Sequence, residues 1–426
     1  MGRAGRLIWG GRTAYAMDRA RSRSIVTFVV LLLTLSPLCQ GLEKIRVLAT
    51  GHIDQLNRLF TFFRSEPLVE YVPVPSRATD VVTVQDAIKF IRLYFPRTYE
   101  EMGGYRMIML AAPEYDLFSP KQDQWMYEAI RQGAGGINDG SVFSIMPQIH
   151  NAWANSQTSK AFPNDAPAVA QKGGGESGTM FFSVIINRNF PDPVLTPFVK
   201  FGIEKLAVNA VSRLVIPRQG SGTLAWQVGN FPSLGQVPFL IAWDYEGGRT
   251  MTTGDFLGNG WFSYPSGPAS NQYSPDILMN MILYCTKRRL IEDVEVFHRV
   301  KSYFHEFRSR MSLLTSLRDF IDKFGANTDG IQREARKLEQ IHAQGVEHYM
   351  NQDFSQCEGT MDAALKAFSE VEEMARRAKD AALLWVYVIE WLVASSTLFV
   401  SSFVLWTLMV KRRLYRAVRA TRLGPG

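Results

Sequence analysis

Apolar positions along the first third of the chain alternate between two periods. Lys44 to Gly51, KIRVLATG, is a short apolar run closed by glycine, and the stretch Ile53 to Arg64 puts Leu56, Leu59, Phe60 and Phe63 on one helical face. Tyr71 to Val74 predicts a second strand, Val84 to Leu93 a helix, and Arg106 to Ala112, RMIMLAA, a third, buried strand. Ser119 and Pro120 supply an N-cap and a first-turn proline for a helix through Gln132, which Gly133 stops; a fourth strand follows near Ile137. This alternation of strand and helix predicts a mostly parallel sheet flanked by helices.

After Ser144 the pattern breaks. Pro147 to Gly178 is rich in Asn, Ser, Ala and Gly, with KGGGE from Lys172 to Glu176, and predicts a long excursion over the surface. Strand signals resume at Met180 to Ile186, at Arg213 to Ile216, and in the pair Pro238 to Asp244 and Arg249 to Thr253. That pair is joined by Tyr245-Glu246-Gly247-Gly248, a hairpin turn. A helix from Ser274 to Thr286, with Pro275 in its first turn, closes the unit.

From Lys287 onward the spacing becomes helical throughout. One stripe runs from Leu290 through Phe297, Phe304, Phe307 and Leu314 to Phe320, a second from Ile331 to Tyr349, and a third from Met361 through Leu365 to Met374. Two or three antiparallel helices within one chain would satisfy these stripes, and so would a membrane-proximal coiled coil joining two copies. Glu292, Asp293, Lys337 and Glu339 read as solvated faces, and His342 and His348 as surface or stripe residues.

The third helix can continue into the twenty uncharged residues Trp391 to Val410, WLVASSTLFVSSFVLWTLMV, which are followed by KRRLYRAVRATR. That length crosses a bilayer core, and the six basic residues beyond it place the C-terminus in the cytoplasm. Glu390, at the outer edge of the run, either reaches the interface or pairs with another membrane subunit. At the other end Arg19, Arg21 and Arg23 precede a short apolar run, Ile25 to Leu35, with small residues Cys39 and Gly41 at −3 and −1 of a cleavage site. This reads as a signal peptide over 1–41, the competing reading being an uncleaved anchor.

Charge changes the picture only through this topology. The net charge is +7, but six arginines and one acid precede residue 42 and six basic residues follow Val410; removing them leaves 35 basic against 39 acidic residues. The segment between is therefore slightly acidic, and the basicity orients the chain in the membrane rather than binding nucleic acid. Of three cysteines, Cys39 belongs to the leader, and Cys285 and Cys357 read as separate buried thiols in preference to a bridge. No Cys or His pair has convincing metal-ligand spacing, and no cofactor is implied.

The segments YRMIMLAAPEYDLFSPKQDQWMYEAIRQGAGG, PDPVLTPFVKFGIEKL, VPFLIAWDYEGGRTMTTGDFLGNGWF and NQYSPDILMNMILYCTKR together resemble the class I glutamine amidotransferase-like superfamily. They are most similar to its membrane-associated branch, over residues 44 to 288. The resemblance implies a flavodoxin-like or class I amidotransferase-like α/β domain. A glutaminase of that superfamily needs a cysteine thiolate on the turn after the central strand, activated by a histidine held by a carboxylate. The matching turn here is Ile137-Asn138-Asp139-Gly140-Ser141; there is no cysteine between Cys39 and Cys285 and no histidine between His150 and His298. The resemblance therefore implies a catalytically degenerate domain.

Candidates for other chemistry are Ser141 with Asp139 and Asp255, and His52, which follows the first strand at the carboxyl edge where open α/β sheets bind ligands. Each has a plain alternative, His52 as a surface residue and Asp139-Gly140 as turn residues. Trp243, Tyr245, Phe256, Trp261 and Phe262 read as core or rim.

The sequence thus divides into a leader (1–41), an α/β domain (42–288), a helical stalk (289–382), a transmembrane helix (383–410) and a basic cytoplasmic tail (411–426). Two functions fit: a single-pass, extracytoplasmic binding or assembly module that meets other membrane or envelope subunits, or its own copies, through the stalk; or a hydrolase with a non-cysteine site at the carboxyl edge. The expected partners are the lipid bilayer and protein, not nucleic acid.

Overall fold

The computed structural model describes residues 43–53, 58–79, 81–139, 147–165, 183–190, 193–202, 215–228, 235–254 and 272–421. The first element is strand β1 (Ile45–Gly51), then helix α1 (Arg58–Ser65), β2 (Val69–Pro75), α2 (Val84–Tyr94), the short α3 (Tyr99–Gly103), β3 (Met107–Ala111), α4 (Pro120–Arg131), β4 (Gly135–Asp139) and α5 (Pro147–Ala154). Then come β5 (Ser183–Ile186), β6 (Gly222–Val228), β7 (Gln236–Tyr245), β8 (Gly248–Thr253) and α6 (Ser274–Cys285), and finally α7 (Val294–Lys323), α8 (Asp329–Met350) and α9 (Phe354–Thr421). The strands form one sheet in the order β2-β1-β3-β4-β8-β7-β6-β5. Neighbours from β2 to β8 pair in parallel, and those from β8 through β7 and β6 to β5 pair antiparallel.

Local chemistry sets these boundaries. The Ser119 hydroxyl accepts from the Gln122 N–H while the Gln122 side chain accepts from the Ser119 N–H, with Pro120 at the first position of α4. Thr83 and Asp86 cap α2 in the same reciprocal way. Asp293, taken from the sequence as a solvated charge, is the N-cap of α7 and accepts from the N–H groups of Glu295 and Val296. The β7–β8 turn is glycine for a steric reason, because a Cβ on Gly248 would lie 2.3 Å from the Ile130 carbonyl oxygen of α4.

The period-two alternation of the central strands divides the interior. Val47, Ala49, Met107 and Met109 face one core with α1, α6 and the helices that follow; Leu48, Ile108 and Leu110 face the other with α2, α4 and α5. Two expectations fail on the second face and its edge. The stretch from Pro147 is not a surface excursion as far as Asp165, since Trp153, Ala161 and Phe162 are buried there; residues 166–178 lie outside those described. Asp123 is the physical cause, because its carboxylate accepts from the N–H groups of Gln157 and Thr158 and holds the segment on α4. No strand forms at Val215 and Ile216; instead Pro217 makes an isolated bridge with Asn164, and the strand that does form, β6, follows a tight turn at Gly220.

The first core does not end with the α/β unit. Phe297, Val300, Phe304 and Phe307 of α7, Tyr349 of α8 and Met361 and Phe368 of α9 belong to the same buried cluster as β1, β3 and α6. The three long helices pack within one chain, as the ring of Phe307 against Phe368 at 5.6 Å shows. α9 continues unbroken from this bundle into an apolar segment that is unburied and long enough to cross a membrane.

Candidate functional site

The carboxyl ends of the parallel strands form one rim. β1 lies between β2 and β3, so the crevice of an open sheet falls where the chain leaves β1 and β3 in opposite directions. Gly51 ends β1 at φ +113, and a Cβ there would sit 1.9 Å from the Ala111 carbonyl oxygen, so only glycine allows β1 and β3 to close at this point. His52 follows, and its N–H donates to that carbonyl at 2.6 Å. Ala112, at φ 50, takes a left-handed turn that aims its N–H at Oδ1 of Asp139, 2.6 Å away.

His52 and Asp139 are thus brought to the same place, the end of β3. Ser141 and Asp255 lie outside the described residues. The rest of the rim comes from residues that the sequence did not single out. Ser76 closes β2, its N–H donating to the Gly51 carbonyl and its carbonyl accepting from Glu114; its hydroxyl is buried with no hydrogen-bond partner among the described residues. Arg77 donates to the Ala112 carbonyl at 3.3 Å, and Glu114 accepts from the Ala78 N–H. Each of these contacts fastens one strand end to another.

Neither cysteine of the helices can act as a nucleophile. Cys285 is fully buried against β4, its Sγ 3.5 Å from the Gly136 carbonyl oxygen, and burial pushes its thiol far above the ordinary range. Cys357 donates to the Gly345 carbonyl at 3.1 Å, and burial pushes it up to about 12. Both are free thiols, as expected. Trp243 and Tyr245 pack at 5.0 Å, and the Tyr245 hydroxyl meets that of Tyr127 at 2.9 Å, at the edge of the sheet opposite this rim, since Tyr245 pairs with Gly248 at the start of β8; Phe256, Trp261 and Phe262 lie outside the described residues.

A second cluster lies where the α/β unit meets the helices. Glu66, just after α1, and Asp276, in the first turn of α6, are both almost fully buried, and Lys301 of α7 reaches each of them at 3.2 Å. The His298 ring nitrogen Nδ1 stands 2.6 Å from the other Asp276 oxygen, and the Tyr349 hydroxyl of α8 donates to Glu66 at 2.6 Å. Burial works against the Lys301 ammonium, but Asp276 and then Glu66 outweigh it and hold its pKa above the ordinary lysine value. Burial, reinforced by Glu66, raises Tyr349 well above the usual phenol. The rings of Phe62 and Phe297 flank the ammonium. Sequence reading missed this cluster; its one local sign is that Lys301 stands four residues after Phe297, on the face of α7 that carries the apolar stripe. Among the described residues, no group of three or more His, Cys, Asp or Glu is placed to hold a metal ion.

Comparison with known proteins adds little to this geometry. No family model matches the chain, and no curated protein matches it. Among solved structures it is similar to cytoplasmic protein STM3548 from Salmonella typhimurium, with 14% identity and a TM-score of 0.40, over 56% of this chain and 98% of that one. Cytoplasmic protein STM1381 from Salmonella typhimurium LT2 is similar at 14% identity and a TM-score of 0.37, over 56% of this chain and 99% of that one. Both likenesses are too distant to bear on function.

Proposed function

We propose that the chain is a membrane-anchored binding or assembly module, a subunit of a larger membrane complex, with a catalytically degenerate amidotransferase-like domain held outside the cytoplasm. The observation that carries this reading is the engagement of Asp139. At the end of the central strand, where the resemblance would place catalytic machinery, a buried carboxylate accepts the Ala112 N–H and so serves the fold. The thiols support it, because both are protonated and neither lies on the rim. The ends of β1 and β2 carry polar groups that a ligand could use, namely His52, the Arg77 guanidinium and the buried Ser76 hydroxyl, which has no hydrogen-bond partner among the described residues. The basic run after Val410 supports an extracytoplasmic domain.

The test joins two measurements on the purified full chain. It should release no ammonia from glutamine, and after cross-linking in native membranes it should purify through a tag after Gly426 with a partner in fixed stoichiometry. A chain that purifies alone and hydrolyses glutamine or an ester, with activity abolished by His52→Ala, would overturn this reading in favour of the hydrolase.

A further inference from the structure

We propose that the tip of the α7–α8 hairpin is a second membrane contact, in which Phe320 and Phe324 enter the headgroup region of the leaflet that α9 enters. The proposal rests on the reading that α9 crosses the bilayer. Its ground is a shared register. α7 and α9 run in the same direction side by side: Arg299 meets Glu358 at 2.7 Å, the ring of Phe307 meets Phe368 at 5.6 Å, and Arg310 meets Glu372 at 3.9 Å. Phe324 lies as far beyond Phe307 as Trp385 lies beyond Phe368, about 26 Å at the rise of an α-helix. The tip of α7 is therefore level with Trp385.

That level marks the interface. Trp385 and Tyr387, just ahead of the uncharged run, and Trp391, its first residue, are exposed on α9, and exposed Trp and Tyr of spanning helices collect at headgroup depth. The last turn of α7 is held there, because Ile321 is fully buried and Ala382 of α9 nearly so. On the outer face of the same turn, Phe320 and Phe324 pack edge to face at 4.8 Å, and both are exposed, at 39% and 42%. Two aromatic rings open to water beside a membrane helix are the chemistry that a lipid interface covers. The neighbouring carboxylates do not oppose this, for Asp319 is paired with Arg318 at 2.9 Å and Asp322 accepts from the Thr328 hydroxyl. Leu313 shares the face but lies about 16 Å farther from the belt, beyond the reach of the bilayer.

The experiment uses the full chain, with Cys39→Ser, in phosphatidylcholine vesicles. Phe324→Cys, Leu313→Cys and Leu398→Cys each carry an environment-sensitive fluorophore; all three side chains are exposed, and Cys285 and Cys357 are buried from the label. The label at 324 should lose its fluorescence to lipids spin-labelled near the headgroup and resist aqueous iodide. The label at 313 should do the reverse, and the label at 398 should respond to a deep quencher. If 324 behaves like 313 while 398 is quenched, the tip contact is overturned and the span stands. If 398 also stays in water, the span falls and the tip contact with it. A label at 324 that resists both quenchers, together with a disulfide-linked dimer when the unlabelled Phe324→Cys chain is treated with an oxidant, would assign the surface to a second copy and overturn the lipid contact.

Discussion

Lys301 and His342 show how single residues within the helical packing respond to pH in opposite ways. Replacing Lys301 with Met leaves two buried carboxylates without their cation and should cost about 3–5 kcal/mol in urea unfolding at neutral pH. Because its folded pKa is raised, the contribution of Lys301 is fully present below the ordinary lysine value near 10.5 and is lost as pH rises through the raised one. The gap between wild type and Lys301→Met should therefore be flat at neutral pH and close only above that value. His342 stacks on Phe307 at 4.5 Å, with its Nε2 buried and no hydrogen-bond partner among the described residues. Burial, and after it Arg308, lowers its pKa, so protons bind the unfolded chain more readily. Stability should fall as pH drops from about 6.5 through the lowered value, and His342→Phe should remove that part of the slope in unfolding measured from pH 7 to 5. Little of this was legible in the sequence. Glu66 and Asp276 look like ordinary surface acids, because nothing in a one-dimensional pattern says that α1, α6 and α7 converge.

At the scale of elements the sequence was far more informative, because the signals there are local. The capping box at Ser119 and Gln122, the glycine turn at Gly247 and Gly248, and the apolar run of β3 each fix an element from a few neighbours. The failures are elements fixed from a distance: Trp153 and Phe162 are drawn into the second core by Asp123 on α4, and β6 exists because β7 pairs with it. The rim was half legible for the same reason, since His52 follows a recognisable strand, whereas Ser76 and Glu114 matter only through their contacts with each other and with Gly51. The three helical stripes also left a choice between chains that Phe307 and Phe368 now decide. Phe307→Asp should destabilise the folded chain by about 3–5 kcal/mol, as an unpaired charge in a core does, while Leu313→Asp on the open face should change it by less than about 0.5 kcal/mol. Equal effects at the two positions would contradict the intrachain bundle.

For the whole molecule, the orientation of the span decides which compartment the α/β unit samples. On the proposed orientation, with the basic tail cytoplasmic, protease added to intact cells or spheroplasts should digest the bulk of the chain and spare a tag after Gly426; loss of the tag with survival of the α/β unit would reverse the orientation. α9 also makes the chain mechanical. One helix runs from Phe354, beside the core of the α/β unit, through the bundle and into the apolar run with no flexible joint. From Phe354 to Trp385 it forms a lever arm of about 46 Å, so a change of about 10° in the tilt of the buried end swings the far end by about 8 Å. Bilayer thickness, or a neighbouring helix that tilts α9, would then set the height and bearing at which the rim of the sheet is presented.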